Sequence, residues 1–545
     1  MTANTMEFVL ALHSHLPYVL NHGRWPHGSD WLCEAALDTY LPLLEQLETL
    51  SAEGTPAPLT IGFTPVLANQ LANPVFAREM EAFFAQRLAA CAEAPASFGP
   101  LVDFWKVRFK RMQTLFRAID GDLVSAFRRL QERGRLEIIG SAATHGYLPL
   151  LARDESIRLQ LAVGQGEHRR LFGVAPKGCW LPECAYRPGL EKHLADAGFR
   201  YFFTDAHLAH AGSPLGVYGD IPLGAERFDA ERHDPSSAPA GRGKAARSPY
   251  RAYRVSRSTK RPVAALVRDP KSSMQIWSRH QGYPGDEAYL EFHKIRWPGG
   301  LKLWRVSGPD VDLGAKRPYE PGPAFERAAD HASHFVHLLE TLAHGAGKVI
   351  DRDGVIVAPF DTELFGHWWF EGADFLAAAY RALRGRGVRA VTASQHLEAH
   401  PPRVALQLAE GSWGANGDHS MWLNPRTAWT WDRLRVLEDA FWKVARAALA
   451  VPGARPVLAQ AARELLLAQS SDWQFIISTG AVVDYAERRF TLHCDDAERL
   501  IGALTRGLAG DAGSLESGTR IAVELGERDA LFPDVLAAVA EALDS

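Results

Sequence analysis

Gly178-Cys-Trp-Leu-Pro-Glu-Cys-Ala-Tyr186 is the stretch on which the reading of this chain turns. Its first four residues read as a short apolar strand, and Pro182 stops it. Glu183 then stands at the strand's C-terminal edge, between Trp180 and Tyr186. A second run, Val355-Ile-Val-Ala-Pro-Phe-Asp-Thr-Glu-Leu-Phe-Gly-His-Trp-Trp-Phe-Glu371, repeats the arrangement, with Asp361 at the strand end and a wall of rings after it.

Working outward, short apolar strands alternate with helical stretches up to about residue 400. The strands are expected at Phe8–Leu12, Leu59–Phe63, Leu136–Ile139, Gly178–Leu181, Tyr201–Thr204, Val355–Pro359 and Arg389–Thr392. Such alternation argues for a parallel sheet or an α/β barrel. In both, functional side chains gather at the C-terminal strand ends. His13, His15, His145, Glu183, Asp205 and Asp361 all fall there. Residues 68–130 form a long insert with a helical pattern. Residues 228–250 are rich in Pro, Gly, Ser and charge, which predicts an exposed loop. Pro401-Pro402 marks a boundary between residues 1–400 and 401–545. Beyond it, amphipathic patterns at Leu434–Leu449, Pro456–Ala468, Asp495–Leu508 and Phe532–Leu543 predict a helical C-terminal domain.

Composition excludes several classes. A chain of 545 residues is too long for one ordinary core. A net charge of −4 without a basic block argues against nucleic acid or an anionic membrane as partner. No apolar run reaches the length of a membrane span, and the first residues lack a basic secretory start. The five scattered cysteines suit a reducing cytoplasm. Cys179 and Cys184 lack two further ligands for zinc and read as small buried apolar residues.

Two carboxylates at strand ends among aromatics is the equipment of glycosidic-bond chemistry. Retaining cleavage needs a carboxylate nucleophile on one face of the sugar and a protonated carboxylic acid on the other, about 5–5.5 Å apart. Two strand ends on one barrel rim can bring positions 183 and 361 together. Alone, either residue is as consistent with a helix cap or an arginine pair.

At this point a resemblance becomes specific. His13-Ser-His-Leu-Pro-Tyr-Val19, Gly140-Ser-Ala-Ala-Thr-His-Gly146, Cys179-Trp-Leu-Pro-Glu-Cys-Ala-Tyr186 and Ala358-Pro-Phe-Asp-Thr-Glu-Leu-Phe-Gly-His-Trp-Trp369 resemble four successive motifs of glycoside hydrolase family 57. The likeness spans nearly the whole chain and points within the family to its 1,4-α-glucan branching enzymes. It implies a distorted seven-strand (β/α) barrel with a helical insert and an α-helical C-terminal domain that completes the site, with no metal and no organic cofactor. It implies Glu183 as nucleophile and Asp361 as acid/base, acting on an α-glucan. His13 and His145 match sugar-binding histidines, and neutral imidazoles suit that by offering one donor and one acceptor. Trp277 and Trp413 match groove tryptophans, whose flat rings stack on pyranose faces. Asp472, in Ser470-Ser-Asp-Trp-Gln474, matches a C-terminal-domain aspartate that reaches the substrate. Glu363 is a second carboxylate beside Asp361.

The chain departs from the pattern in one place. Branching enzymes of the family close a loop over the site with a tyrosine near its tip. The corresponding stretch, 228–250, has only Phe228 and His233 as aromatics before Tyr250, and Tyr253 follows at its far end. Transfer depends on excluding water from the intermediate. An amylase-like α-glucan hydrolase on the same scaffold is therefore the alternative. A metal-dependent carbohydrate deacetylase built on His13, His15, Asp205 and His207 is a second alternative. A binding protein that kept the groove without the chemistry is a third, and the presence of both carboxylates weighs against it.

Overall fold

The computed structural model describes residues 6–217, 247–255, 261–277, 282–308, 310–348, 350 and 353–544. Most of the polar loop expected at 228–250, including its tip, lies outside the described residues.

Seven parallel strands curl into a ring: β1 (Met6–Ser14), β2 (Leu59–Phe63), β3 (Leu136–Ser141), β4 (Gly178–Trp180), β5 (Tyr201–Thr204), β6 (Ala264–Val267) and β7 (Val355–Asp361). Their order is β7-β1-β2-β3-β4-β5-β6. The ring closes between β6 and β7 through one parallel bridge, Arg268 with Val357, and the Asp269 N–H donates to the Val357 carbonyl at 2.8 Å. At β6 the sheet also branches. Tyr253–Arg254 runs antiparallel to β6, and beyond it lie Val404–Gln407 and Ser213–Val217. This branch and the thin closure are what make the barrel distorted. All nine residues of β1 are buried, as expected of a strand covered on both faces.

The number of strands is as expected, but one member differs. The predicted strand at 389–392 exists as Val388–Ala390, yet it pairs with β1 off the ring path. The seventh ring strand is β6. Its run Val263-Ala-Ala-Leu-Val267 is short and carries little β-branched bulk, so the sequence signal is weak.

The insert is helical as predicted: Pro65–Leu71, Pro74–Ala92, Gly99–Ala118 and Leu123–Glu132. Asn73 caps the second helix by accepting from the Val75 N–H, and Asp122 caps the fourth by accepting from Ser125 N–H. The C-terminal region folds as Ala428–Ala450, Arg455–Ala468, Asp472–Thr479, Val483–Leu508, Ala512–Arg528 and Val535–Asp544. Helix Ala512–Arg528 and the first half of Val483–Leu508 exceed the sequence expectation. Among the described residues no helix is long and apolar enough to cross a membrane. The five cysteines are buried and unpaired.

Strand β4 is tightly seated. A Cβ on Gly178 would lie 2.3 Å from the Tyr201 ring. That ring cannot swing away, because Tyr201 OH donates to Glu137 at 2.6 Å and Glu137 also accepts from Ser394 N–H. Gly178→Ala is expected to cost about 1–3 kcal/mol by overpacking, read as a lowered midpoint in denaturant unfolding.

Candidate active site

Glu183 follows β4 in a single tight turn, Pro182–Cys184, with φ 61° and ψ 21°. Cys184 follows at φ 47°. Two successive non-glycine residues in the left-handed region carry strain on the order of 1–3 kcal/mol each, so the surroundings must hold them. The segment after the barrel does so. Trp413 N–H donates to the Glu183 carbonyl at 3.0 Å, and Tyr186 and Gly411 exchange two backbone hydrogen bonds. The same segment fixes the carboxylate: Trp413 Nε1–H donates to Glu183 Oε2 at 3.0 Å, and Ser471 Oγ–H donates to Oε1 at 3.1 Å. His145, after β3, is also left-handed at φ 59°, and Ser471 N–H holds its carbonyl at 3.1 Å.

These bonds fix the histidine tautomers. Because Ser471 gives its proton to Glu183, its oxygen accepts from His145 Nδ1–H at 2.9 Å. His145 Nε2 is then an acceptor, and His13 Nε2–H donates to it at 3.0 Å. His13 Nδ1 is left as a buried acceptor without a partner among the described residues. Burial, reinforced by neighbouring imidazoles, holds both rings far below the ordinary histidine value, so both are neutral. The His13 ring lies parallel to Trp180 with centroids 4.6 Å apart.

His15 differs from them. Burial lowers its pKa, but the Asp472 carboxylate 2.9 Å from its Nε2 outweighs that and raises it. Its Nδ1 is 3.0 Å from Thr64 Oγ1. Burial raises the Asp472 carboxyl, yet the His15 charge pulls it down to about 2.

Asp361 ends β7, in register with His13 of β1. It lines the same cavity as Glu183, His13, His15, His145, Trp413 and Asp472, with a volume of about 500 Å³. Burial drives its pKa well above the ordinary carboxylate range, and the charges of Glu363 and Glu183 add to this. Glu183 is pushed up to about 7, by burial first and Asp472 next, against the Trp413 and Ser471 bonds. Glu363, pushed up to about 7 by burial, accepts from Tyr40 OH and from His15 N–H at 3.1 Å.

Six of the seven expected site residues line this one cavity. Trp277 is the exception. It packs edge-on to Trp413 with centroids 6.1 Å apart and 6.5 Å from Trp368, so it buttresses the two rings that do line the cavity. Asp205 and His207 do not join His13 and His15. Asp205 pairs with Arg268 at 3.1 Å and His207 at 3.0 Å, and His207 Nε2–H reaches the Gly417 carbonyl. The four-residue ligand set of the deacetylase reading is therefore not assembled. Ser471 was not legible from sequence, although it lies within the run quoted for Asp472. Tyr40, on a single widened π-helical turn (Ala36–Tyr40), carried no signal at all.

The ring of parallel strands with two half-buried carboxylates at its rim defines a carbohydrate-active barrel protein. A model of glycosyl hydrolase family 57 matches residues 9–409, and the chain belongs to that family. A model of the C-terminal domain of 1,4-alpha-glucan branching enzymes matches residues 435–539. The chain is 40% identical to a 1,4-alpha-glucan branching enzyme of Thermococcus kodakarensis, over 96% of this chain and 77% of that one. It superposes with a TM-score of 0.87 on the crystal structure of a branching enzyme of this family from Pyrococcus horikoshii, at 37% identity, covering 98% and 97% of the two chains. A novel alpha-amylase of Thermotoga maritima is similar too, with a TM-score of 0.78 and 29% identity over 98% and 99%.

The His15–Asp472 pair has a direct check. In NMR titration His15 should titrate above the ordinary histidine value of about 6.5. In Asp472→Asn the main raising charge is gone while burial remains, so its pKa should fall; an unchanged titration would contradict the pairing.

Proposed function

We propose that this protein is a 1,4-α-glucan branching enzyme that works by retaining double displacement. The observation that carries the mechanism is the unequal hydrogen bonding of the two carboxylates. Glu183 accepts from an indole N–H and a hydroxyl, which favours its ionised form. Asp361 stands between the charges of Glu183 and Glu363, which favours its protonated form.

In the first step a Glu183 oxygen attacks the anomeric carbon of an α-1,4-linked glucose. The C1–O4 bond breaks, its electron pair goes to O4, and O4 takes the Asp361 proton. In the second step the Asp361 carboxylate takes the proton of a 6-hydroxyl on another glucan segment. That oxygen attacks C1 and displaces Glu183, which leaves an α-1,6 link. His13, His145 and Asp472 surround the ring at the point of cleavage, and Trp413 offers a stacking face. The residue 1–400 barrel supplies both carboxylates. Residues 401–545 supply Trp413, Ser471 and Asp472. The unpaired cysteines and the glucan substrate support a cytoplasmic setting.

A hydrolytic reading, with water in place of the 6-hydroxyl, is favoured by the likeness to the Thermotoga maritima amylase. Incubation with amylose separates the two: new α-1,6 links in excess of new reducing ends are expected, and reducing ends without branches would refute transfer.

Glu183→Gln should lower turnover on the order of 10,000-fold, measured as loss of both products; full turnover would sink the mechanism. Since Glu183 is pushed up to about 7, the nucleophile becomes protonated and turnover falls as pH drops through that region. Ser471→Ala removes a bond that favours the carboxylate, so the acid limb of kcat/KM against pH should move to higher pH.

A further inference from the structure

The cavity wall that carries Asp361 holds one more carboxylate, which the steps above do not use. Glu34, on helix Ser29–Ala35, lines the cavity together with His367 and Trp368. Its Oε1 lies 2.8 Å from Lys302 Nζ. Lys302 is buried and also donates to Asp38 Oδ2 at 2.8 Å. One ammonium between two carboxylates leaves one negative charge over. Asp38 is enclosed with 7% of its side chain exposed, whereas Glu34 keeps 25% and borders this cavity and two smaller clefts beside it. Among the described residues no hydrogen bond is donated to Glu34 Oε2, and the close contact to Lys302 is made through Oε1. Burial would raise this carboxyl, but the Lys302 ammonium, with Arg87 farther off, outweighs that and lowers it, which favours the ionised form.

The position of Glu34 is built in. The π-helical turn that follows its helix is locked to the loop after Asp361 at three points. Tyr40 OH donates to Glu363, His367 N–H donates to Thr39 Oγ1 at 2.9 Å, and Gly366 sits so close to the Asp38 carbonyl that a Cβ would come within 2.0 Å of it. Beside Glu34, His367 is kept neutral by burial, and its Nδ1 is buried without a hydrogen-bond partner among the described residues.

The chemistry assigns this wall a side. The general acid must touch the glycosidic oxygen on the leaving-group side, and the acceptor enters where the leaving group departs. Glu183 is held instead by Trp413 and Ser471, which come from beyond the barrel.

We propose that Glu34 is an acceptor-binding residue. Its free carboxylate oxygen accepts hydrogen bonds from hydroxyls of the glucose unit held on the Asp361 side, Lys302 positions it, and His367 adds a second polar contact. This rests on the branching-enzyme reading above. A carboxylate with one oxygen anchored and one facing a sugar cavity is rigid and needs no reorganisation to bind. The charge-assisted bond is the strong kind available to a neutral sugar.

The test uses an α-maltooligosyl fluoride as donor and a maltooligosaccharide as acceptor, with transfer followed against acceptor concentration. Glu34→Gln and Glu34→Ala should each raise the acceptor KM, by about tenfold for alanine, while the rate at saturating acceptor falls by less than about threefold. Glu34→Gln keeps the shape and serves if alanine disturbs folding. Acceptors lacking single hydroxyls supply a measurement on the unmutated protein. One of them should bind about tenfold more weakly to it, and the deficit should vanish in Glu34→Gln. An unchanged acceptor KM, a fall in rate without a change in KM, or equal binding of every deoxygenated acceptor would overturn the proposal. If the unmutated protein releases fluoride but passes no glucan to any sugar acceptor, the branching reading itself fails.

Discussion

Two hydrogen bonds from outside the barrel hold the rim of the cavity in its strained form. Trp413 N–H on the carbonyl of Glu183 and Ser471 N–H on the carbonyl of His145 each secure a left-handed, non-glycine residue. Such backbones persist only where surroundings over-determine them. The same two residues then supply the side-chain donors to the Glu183 carboxylate. Backbone strain and carboxylate orientation thus share one origin, and the barrel alone does not make a finished site. The paired bonds between Tyr186 and Gly411, and the bridge between Gly146 and Ser470, fasten the two segments in place.

The cavity gathers acidic and histidine side chains that no water-filled cleft would hold in these states. Burial dominates each of them, and local partners then sort them. His15 and Asp472 settle as an ion pair. His13, His145 and Ser471 form a neutral relay that ends on Glu183. Glu363 is satisfied by Tyr40 and the His15 N–H. Asp361 is left facing the charges of Glu183 and Glu363. Division of labour between chemically similar carboxyl groups therefore follows from who donates to whom, not from residue type.

The ring strands were legible where they are continuous apolar runs ended by polar residues, as at Met6–Ser14 and Val355–Asp361. A strand buried on both faces leaves that trace. Ala264–Val267 was missed because a run of four residues, two of them alanine, leaves little trace. Val388–Ala390 reads as well as a ring strand, yet it lies outside the ring, since periodicity reports burial and not partner. In the C-terminal region Ala512–Arg528 escaped notice because its buried positions are few, namely Gly518, Ala522 and Leu525. Trp277 shows the same limit at the site: a tryptophan in a matching motif proves to support the wall, while Trp368 and Trp413 form it.

The sequence by itself determined an alternation that fits a parallel sheet or barrel, the helical insert, the helical C-terminal region and two carboxylates at strand ends, Glu183 and Asp361. These are local signals, carried by hydrophobic period and by carboxylates at strand ends. Tertiary structure alone decided which strand closes the ring, which tautomers the histidines adopt, that Glu34 lines the cavity, and that Ser471 and Tyr40 hold its carboxylates from behind. Those outcomes depend on hydrogen bonds between residues hundreds of positions apart, such as His145 with Ser471 and Tyr40 with Glu363. No local pattern encodes a partner that only folding brings within 3 Å.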